Sequence, residues 1–105
     1  MTQLDQTFAA LSDGTRRAII EKLALGEASL SDLASPFDMS QTAVSKHVRV
    51  LSDAGLVSVT KRGRTRYCSL QAAPMKDATD WLTTYQTFWT GSFESLARHI
   101  EGKEH

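Results

Sequence analysis

The 105-residue sequence predicts a small, mainly α, α+β fold in the order α-α-α-α-β-β-α. Three observations predict it. Caps and breakers divide the first half into short helices. One stretch, 56–70, switches to strand-type residues around a glycine turn. After residue 74 apolar residues recur at three- and four-residue steps for some twenty-five positions. The length suits one domain, 1–105.

Residues 3–11, "QLDQTFAAL", place Leu4, Phe8 and Leu11 on one side of a first helix. "SDGT" breaks it, with Asp13 as the next cap. "TRRAIIEKLALG" follows as a second helix, with Ile19, Ile20 and Leu23 inward and Gly26 as its stop. "SLSD" at 29–32 has the form of a capping box, and Pro36 cuts the third helix short. Ser40 caps the fourth helix, and Gly55 stands where a C′ glycine belongs. Helices three and four, within 30–54, then have the helix-turn-helix form. "LVSVTKRGRTRYCSL" reads as a β-hairpin, a wing at 57–70 with Arg62-Gly63-Arg64 as its turn. A long amphipathic helix is expected over 75–100.

The totals exclude several classes. No apolar run approaches the ~20 residues of a membrane span. The N-terminus lacks a basic start and a signal-type apolar block, so a cytoplasmic protein is expected. The lone Cys68 permits no internal disulfide and no thiol pair for a metal, and is expected as a half-buried strand residue. No Ser/His/Asp spacing, phosphate loop or carboxylate pair suggests an enzyme.

The net charge is zero, but its distribution is uneven. Residues 41–66 hold six Lys/Arg against Asp53 alone, whereas 1–40 carry net −3 and 67–105 net −2. Local charge makes an electrostatic footprint, so the basic middle matters more than the total.

Helix four carries the sharpest signal. Val44, Val48 and Leu51 share a face directed at the core. Gln41, Thr42, Ser45, Lys46 and Arg49 lie outward, and no Asp or Glu occurs between 40 and 52. Arg suits guanine edges, Gln suits adenine, and Ser or Thr suits several bases and phosphates. The helix start at Ser40 adds outward N–H groups for a phosphate. A plain solvated face would look similar, but the hairpin that follows adds Lys61, Arg62, Arg64 and Arg66 around one glycine. Such a turn would follow phosphates or enter a minor groove. Double-stranded DNA is therefore the expected partner. The alternative is a winged helix used for protein contact or as an RNA-binding accessory.

The final helix bears on assembly. Twenty-six residues at ~1.5 Å each span roughly 39 Å, more than so small a core needs. Its apolar positions are too many for one face, so part should meet a second copy. The dimer interface expected from helices 1–11 and 75–100 comprises Leu4, Phe8, Leu82, Tyr85, Trp89, Phe93 and Leu96.

"LSDGTRRAII", "LSDLASPFDMSQTAVSKHVRVLSDAGLV" and "KRGRTRYCSL" together resemble the winged helix-turn-helix repressors of the bacterial ArsR family. The "MSxxxVSxHxxxLxxAGLV" pattern at 39–57 is the most specific part. The Trp81-Leu82 pair and later aromatics are similar to a subgroup with a long aromatic last helix. The resemblance implies a homodimer that binds a palindromic operator and blocks transcription, with His47 in the recognition helix beside a phosphate or packed against a neighbour. Two departures stand out: Gly14 where the family often has proline, and Asp38 where it often has glycine. A third concerns metal. Family sensors carry Cys-x-Cys where Ser29 and Ser31 stand, and hydroxyls are poor ligands for soft ions. Asp77 and Asp80 have no nearby histidine to complete the family's other zinc pattern, and His99 and His105 are not expected to form a site. No metal or other cofactor is expected, and the sequence does not name an effector.

Overall fold

The computed structural model describes residues 2–86, together with Phe88 and Gly91. Its helices are α1 (Gln3–Ala10), α2 (Gly14–Leu23), α3 (Leu30–Ala34), α4 (Gln41–Asp53) and α5 (Ala72–Thr83). The strands are β1 (Ala28–Ser29), β2 (Val57–Arg62) and β3 (Thr65–Leu70). The expected order holds, with one addition. The two-residue β1 pairs antiparallel with β3, so the wing is the larger part of a three-stranded sheet ordered β1-β3-β2.

Side chains at each helix start explain the boundaries. The Ser40 hydroxyl accepts the Ala43 N–H at 3.1 Å, and the Ser29 hydroxyl accepts that of Asp32 at 3.1 Å. Each satisfies a donor that the first turn leaves unpaired. A full capping box, Thr2 with Asp5, starts α1, whereas at Ser29 only the hydroxyl half of the expected box forms. It has the right spacing and was not among the sequence expectations. The second helix ends at Leu23 rather than running to Gly26, which instead takes φ +144° in the turn towards β1. The connection between α3 and α4 contains no left-handed residue, since positive φ is confined to glycines among the described residues. Asp38 therefore meets no demand that glycine would meet better.

The end of α4 sets the geometry of everything after it. Gly55 takes φ +79°, its N–H bonds the Ser52 carbonyl and the Leu56 N–H bonds the Leu51 carbonyl, both at 2.9 Å. This is the two-bond Schellman reversal, which a left-handed glycine permits. Leu51 and Leu56 are both fully buried, so the reversal is also packed. The chain passes at once into β2. At the other end of the hairpin Arg62 pairs with Thr65, leaving Gly63 and Arg64 as a two-residue loop. Only Gly63 has positive φ, the sign pattern of a type II′ turn.

The core joins Ile19, Ile20 and Leu23 of α2, Leu33 of α3, Val44, Val48 and Leu51 of α4, and Leu56, Val57 and Cys68 of the sheet. The expected inward faces of α2 and α4 are thus confirmed. Cys68 is fully buried rather than half-buried, and burial pushes its thiol pKa up. The last helix starts earlier than expected, at Ala72, with Pro74 in its first turn, where the missing N–H costs nothing. It ends at Thr83. Tyr85 N–H then bonds Leu82 O, and Phe88 N–H bonds Tyr85 O, both three-residue steps in place of α-helical four-residue ones. Trp89, Phe93, Leu96, His99 and His105 lie outside the described residues, as does most of 87–100.

The start of α2 yields two predictions. Gly14 is its first residue, a position whose N–H has no intrahelical acceptor. Asp13 before it is extended (φ −109°, ψ 134°), as a residue preceding proline must be. A Cβ at Gly14 would meet only Arg17 Nη2, at 3.7 Å. Gly14→Pro should raise stability by about 0.4–1 kcal/mol, read as a higher urea midpoint. A lower midpoint would show that the corner needs glycine. The Asp13 carboxylate caps α2 through the Arg16 N–H at 3.0 Å, which holds its pKa below the ordinary carboxylate value. A lowered folded pKa gives stability that is complete above the unfolded value, about 3.9, and is lost as pH falls through the folded one. Asp13→Asn keeps a capping oxygen without this titration. Between about pH 5 and about pH 2 its urea midpoint should fall less than that of the wild type. Equal losses would mean that the cap is insensitive to protonation.

Candidate nucleic-acid interface

The inward stripe of α4 determines what its outward face presents. With Val44, Val48 and Leu51 held in the core, Gln41, Thr42, Lys46 and Arg49 are exposed and Ser45 is half-buried at their edge. The wing closes the other side. Leu30, Ser31, Gln41, Thr42, Ser45, Lys46, Arg49, Arg64, Thr65 and Arg66 line one open groove of about 490 Å³. Four of these ten are cations and none is acidic, so the groove is a continuous positive surface with hydroxyl and amide groups between the charges.

Sheet register explains which wing cations take part. Cross-strand partners share a face, and successive residues alternate. Val59 pairs with Cys68 and Lys61 with Arg66, so these four share the core-directed face. Towards the hairpin tip that face runs out as Lys61 and Arg66, and Arg66 lies near Arg49 and Ser45 along a second cleft beside α4. Thr60 pairs with Tyr67 and Arg62 with Thr65 on the other face, although Thr65, beside the turn, also lines the groove. There the Arg62 guanidinium stacks over the Tyr67 ring, 4.1 Å from its centre, and forms an ion pair with Glu27. Of the four cations expected at the wing, Arg64 and Arg66 line the groove, Lys61 stands opposite Arg66, and Arg62 is held elsewhere.

Two expected residues of the recognition helix are also engaged within the protein. The Ser40 hydroxyl is occupied in capping α4. His47 is 22% exposed and turns towards the start of α2, its Nδ1 3.4 Å from Arg16 Nη1 and 3.8 Å from Asp13 Oδ2. It links α4 to α2 and does not line the groove. In compensation the groove gains Leu30, Ser31 and Thr65, which were not among the expected contacts. Gln41 Nε2 donates to the Ser31 hydroxyl at 2.9 Å, so α3 holds the first side chain of α4 in place. Ser29 and Ser31, at the positions weighed for thiolates, are thus occupied in a cap and in this bond. Among the described residues no three of His, Cys, Asp and Glu are grouped to hold a metal.

The aromatic residues near the start and end of the described chain form a second feature. α1 packs against α5, and Phe8, Trp81 and Tyr85 make an edge-to-face chain with ring centres 5.8 and 5.1 Å apart. Phe8, Leu82, Trp81, Tyr85 and Phe88 nonetheless keep between 36% and 77% of their surface exposed. Leu4 is half-buried beside them.

Comparison with known proteins fits this geometry. A family model described as a helix-turn-helix domain matches residues 11–60. The HTH-type transcriptional regulator Rv2034 of Mycobacterium tuberculosis is 35% identical over 99 residues, covering 94% of this chain and 90% of that protein. The transcriptional repressor SdpR of Bacillus subtilis is 30% identical, covering 78% of this chain and 91% of its own. The crystal structure of an ArsR family transcriptional regulator, RHA00566, superposes with a TM-score of 0.76 at 40% identity over 84% of this chain and 91% of that one. The solution structure of a homodimeric winged helix-turn-helix DNA-binding domain, Mb0332 of Mycobacterium bovis, superposes with a TM-score of 0.64 at 25% identity, covering 88% and 82%. The chain belongs to the ArsR family of winged helix-turn-helix transcriptional regulators.

Proposed function

We propose that the protein is a cytoplasmic, non-catalytic homodimeric repressor that binds a palindromic DNA operator through α4 and the wing. The acid-free groove between α4 and the hairpin tip carries this reading. In it α4 enters the major groove. Gln41 and Arg49 reach base edges, while Thr42, Ser45 and Lys46 contact bases or phosphates. Ser40 serves by fixing the helix start, whose backbone N–H groups meet a phosphate. His47 serves by fixing the angle between α4 and α2. Arg64 and Arg66 follow the adjacent backbone, with Lys61 behind them.

The assembly follows from the exposed aromatic patch. Phe8, Trp81, Leu82, Tyr85 and Phe88 sit on the outer surface of the α1–α5 pair. Trp81 and Tyr85, bulky with one polar atom each, suit a dimer interface, and the apolar Phe8, Leu82 and Phe88 add area to it. A second copy placed there would set two α4 helices about 34 Å apart, one turn of DNA. Trp89, Phe93 and Leu96 would extend the same contact. Repression follows from occupancy of the operator. The engaged hydroxyls of Ser29 and Ser31 support an operator affinity that does not depend on a soft metal.

Two tests address this reading. Against an operator recovered from random duplexes, Arg49→Ala and Gln41→Ala should each cost about 1–3 kcal/mol of discrimination while binding to random DNA changes little. Equal losses on both DNAs would assign these side chains to phosphates. In sedimentation the wild type should run as a dimer at micromolar concentration, and Trp81→Glu with Tyr85→Glu as a folded monomer. A monomeric wild type would overturn both the dimer and the palindromic operator.

A further inference from the structure

The charge cluster that the DNA groove leaves out lies on the opposite face of the sheet. Arg62 leaves β2, crosses the Tyr67 ring of β3 and meets Glu27, which precedes β1 at the far edge. Glu27 in turn accepts the Ser69 hydroxyl of β3 at 3.2 Å through its second carboxylate oxygen. One arginine thus straps all three strands. We propose that Arg62 is a positioning residue: the Glu27–Arg62–Tyr67 strap sets the angle of the wing so that Arg64 and Arg66 face the same groove as Arg49.

The physical case rests on geometry and charge. A two-stranded hairpin is marginal alone and bends readily at its free end. The described core reaches Val57 and Cys68, whereas 59–66 are exposed. Beyond the core, β1 is the remaining support on this side, and it pairs only with Cys68 and Tyr67. The strap extends that support to the last residue before the turn. It also disposes of the Arg62 charge. A guanidinium held by a carboxylate neutralises no phosphate and so releases none of the cations condensed on DNA, which is why it adds nothing to the salt dependence of binding. Stacking requires a planar cation, so lysine would not replace arginine here.

This inference rests on the DNA-binding reading above, and the experiment separates the two. Binding to one duplex is measured against salt for the wild type, Arg62→Ala, Arg62→Lys, Glu27→Gln, the Glu27→Gln/Arg62→Ala double variant and Arg64→Ala. Arg64→Ala should lower the log–log slope by about 0.9. Arg62→Ala, Arg62→Lys and Glu27→Gln should each weaken binding about two- to fivefold with the slope unlowered. The double variant should be no weaker than either single one. In the DNA-free wild type the Arg62 side-chain protons should be shifted upfield by the Tyr67 ring, and Glu27→Gln should abolish that shift. If Arg62→Ala lowers the slope by about 0.9 while Glu27→Gln tightens binding, Arg62 is a phosphate contact and the proposal falls. Absence of the upfield shift in the wild type overturns the strap alone. A wild type that binds no duplex overturns the DNA-binding reading and the strap's purpose with it.

Discussion

Burial of Val44, Val48 and Leu51 is the constraint on which the rest of the structure depends. A helix is a rigid cylinder, so locking one stripe into the core fixes the direction of every other side chain on it. The Schellman reversal at Gly55 then carries α4 into β2 through residues 54–56 alone. Leu56 and Val57 are anchored in the same core as the helix stripe. The recognition face and the wing are therefore two parts of one solid. Loss of the Leu51 side chain would disturb both, because the core it would open also seats Leu56 and Val57, where the wing begins.

Charge works on top of this frame. A chain with no net charge carries an acid-free groove because its cations are concentrated in 41–66 and its acids lie elsewhere. The fold sorts that basic segment further. Arg49, Lys46, Arg64 and Arg66 converge on the groove, while Arg62 is neutralised across the sheet by Glu27. Asp13 is likewise kept away, at the cap of α2 beside His47. Acids placed in this way fasten the fold without opposing a polyanion.

Much of this was legible before folding. The caps and breakers from Asp13 to Gly55, the inward stripes of α2 and α4, and the glycine turn of the wing all act through neighbours in sequence. What was missed depends on partners in space. β1 is two small residues, Ala28 and Ser29, and becomes a strand only because β3 offers it an edge. The separation of Arg62 from Arg66 is a matter of strand parity. It could have been read from the two-residue Gly63-Arg64 loop, which puts 61 opposite 66 and 62 opposite 65. His47 gave a similar sign. It stands three residues after Val44 and four before Leu51, which puts it beside the buried stripe rather than across from it. Ser31 had no local signal, since its place in the groove follows from how α3 crosses the start of α4.

The central claim is that α4 and the wing tip form one DNA-reading surface. A backbone amide NMR titration with an operator-containing duplex tests it most directly. The account predicts that amides of 41–49 and 63–66 shift together, saturating at a single stoichiometry, while those of α2 beyond its first turn stay in place. Shifts confined to α1 and α5, or an equal response of 41–49 to single-stranded RNA, would contradict it.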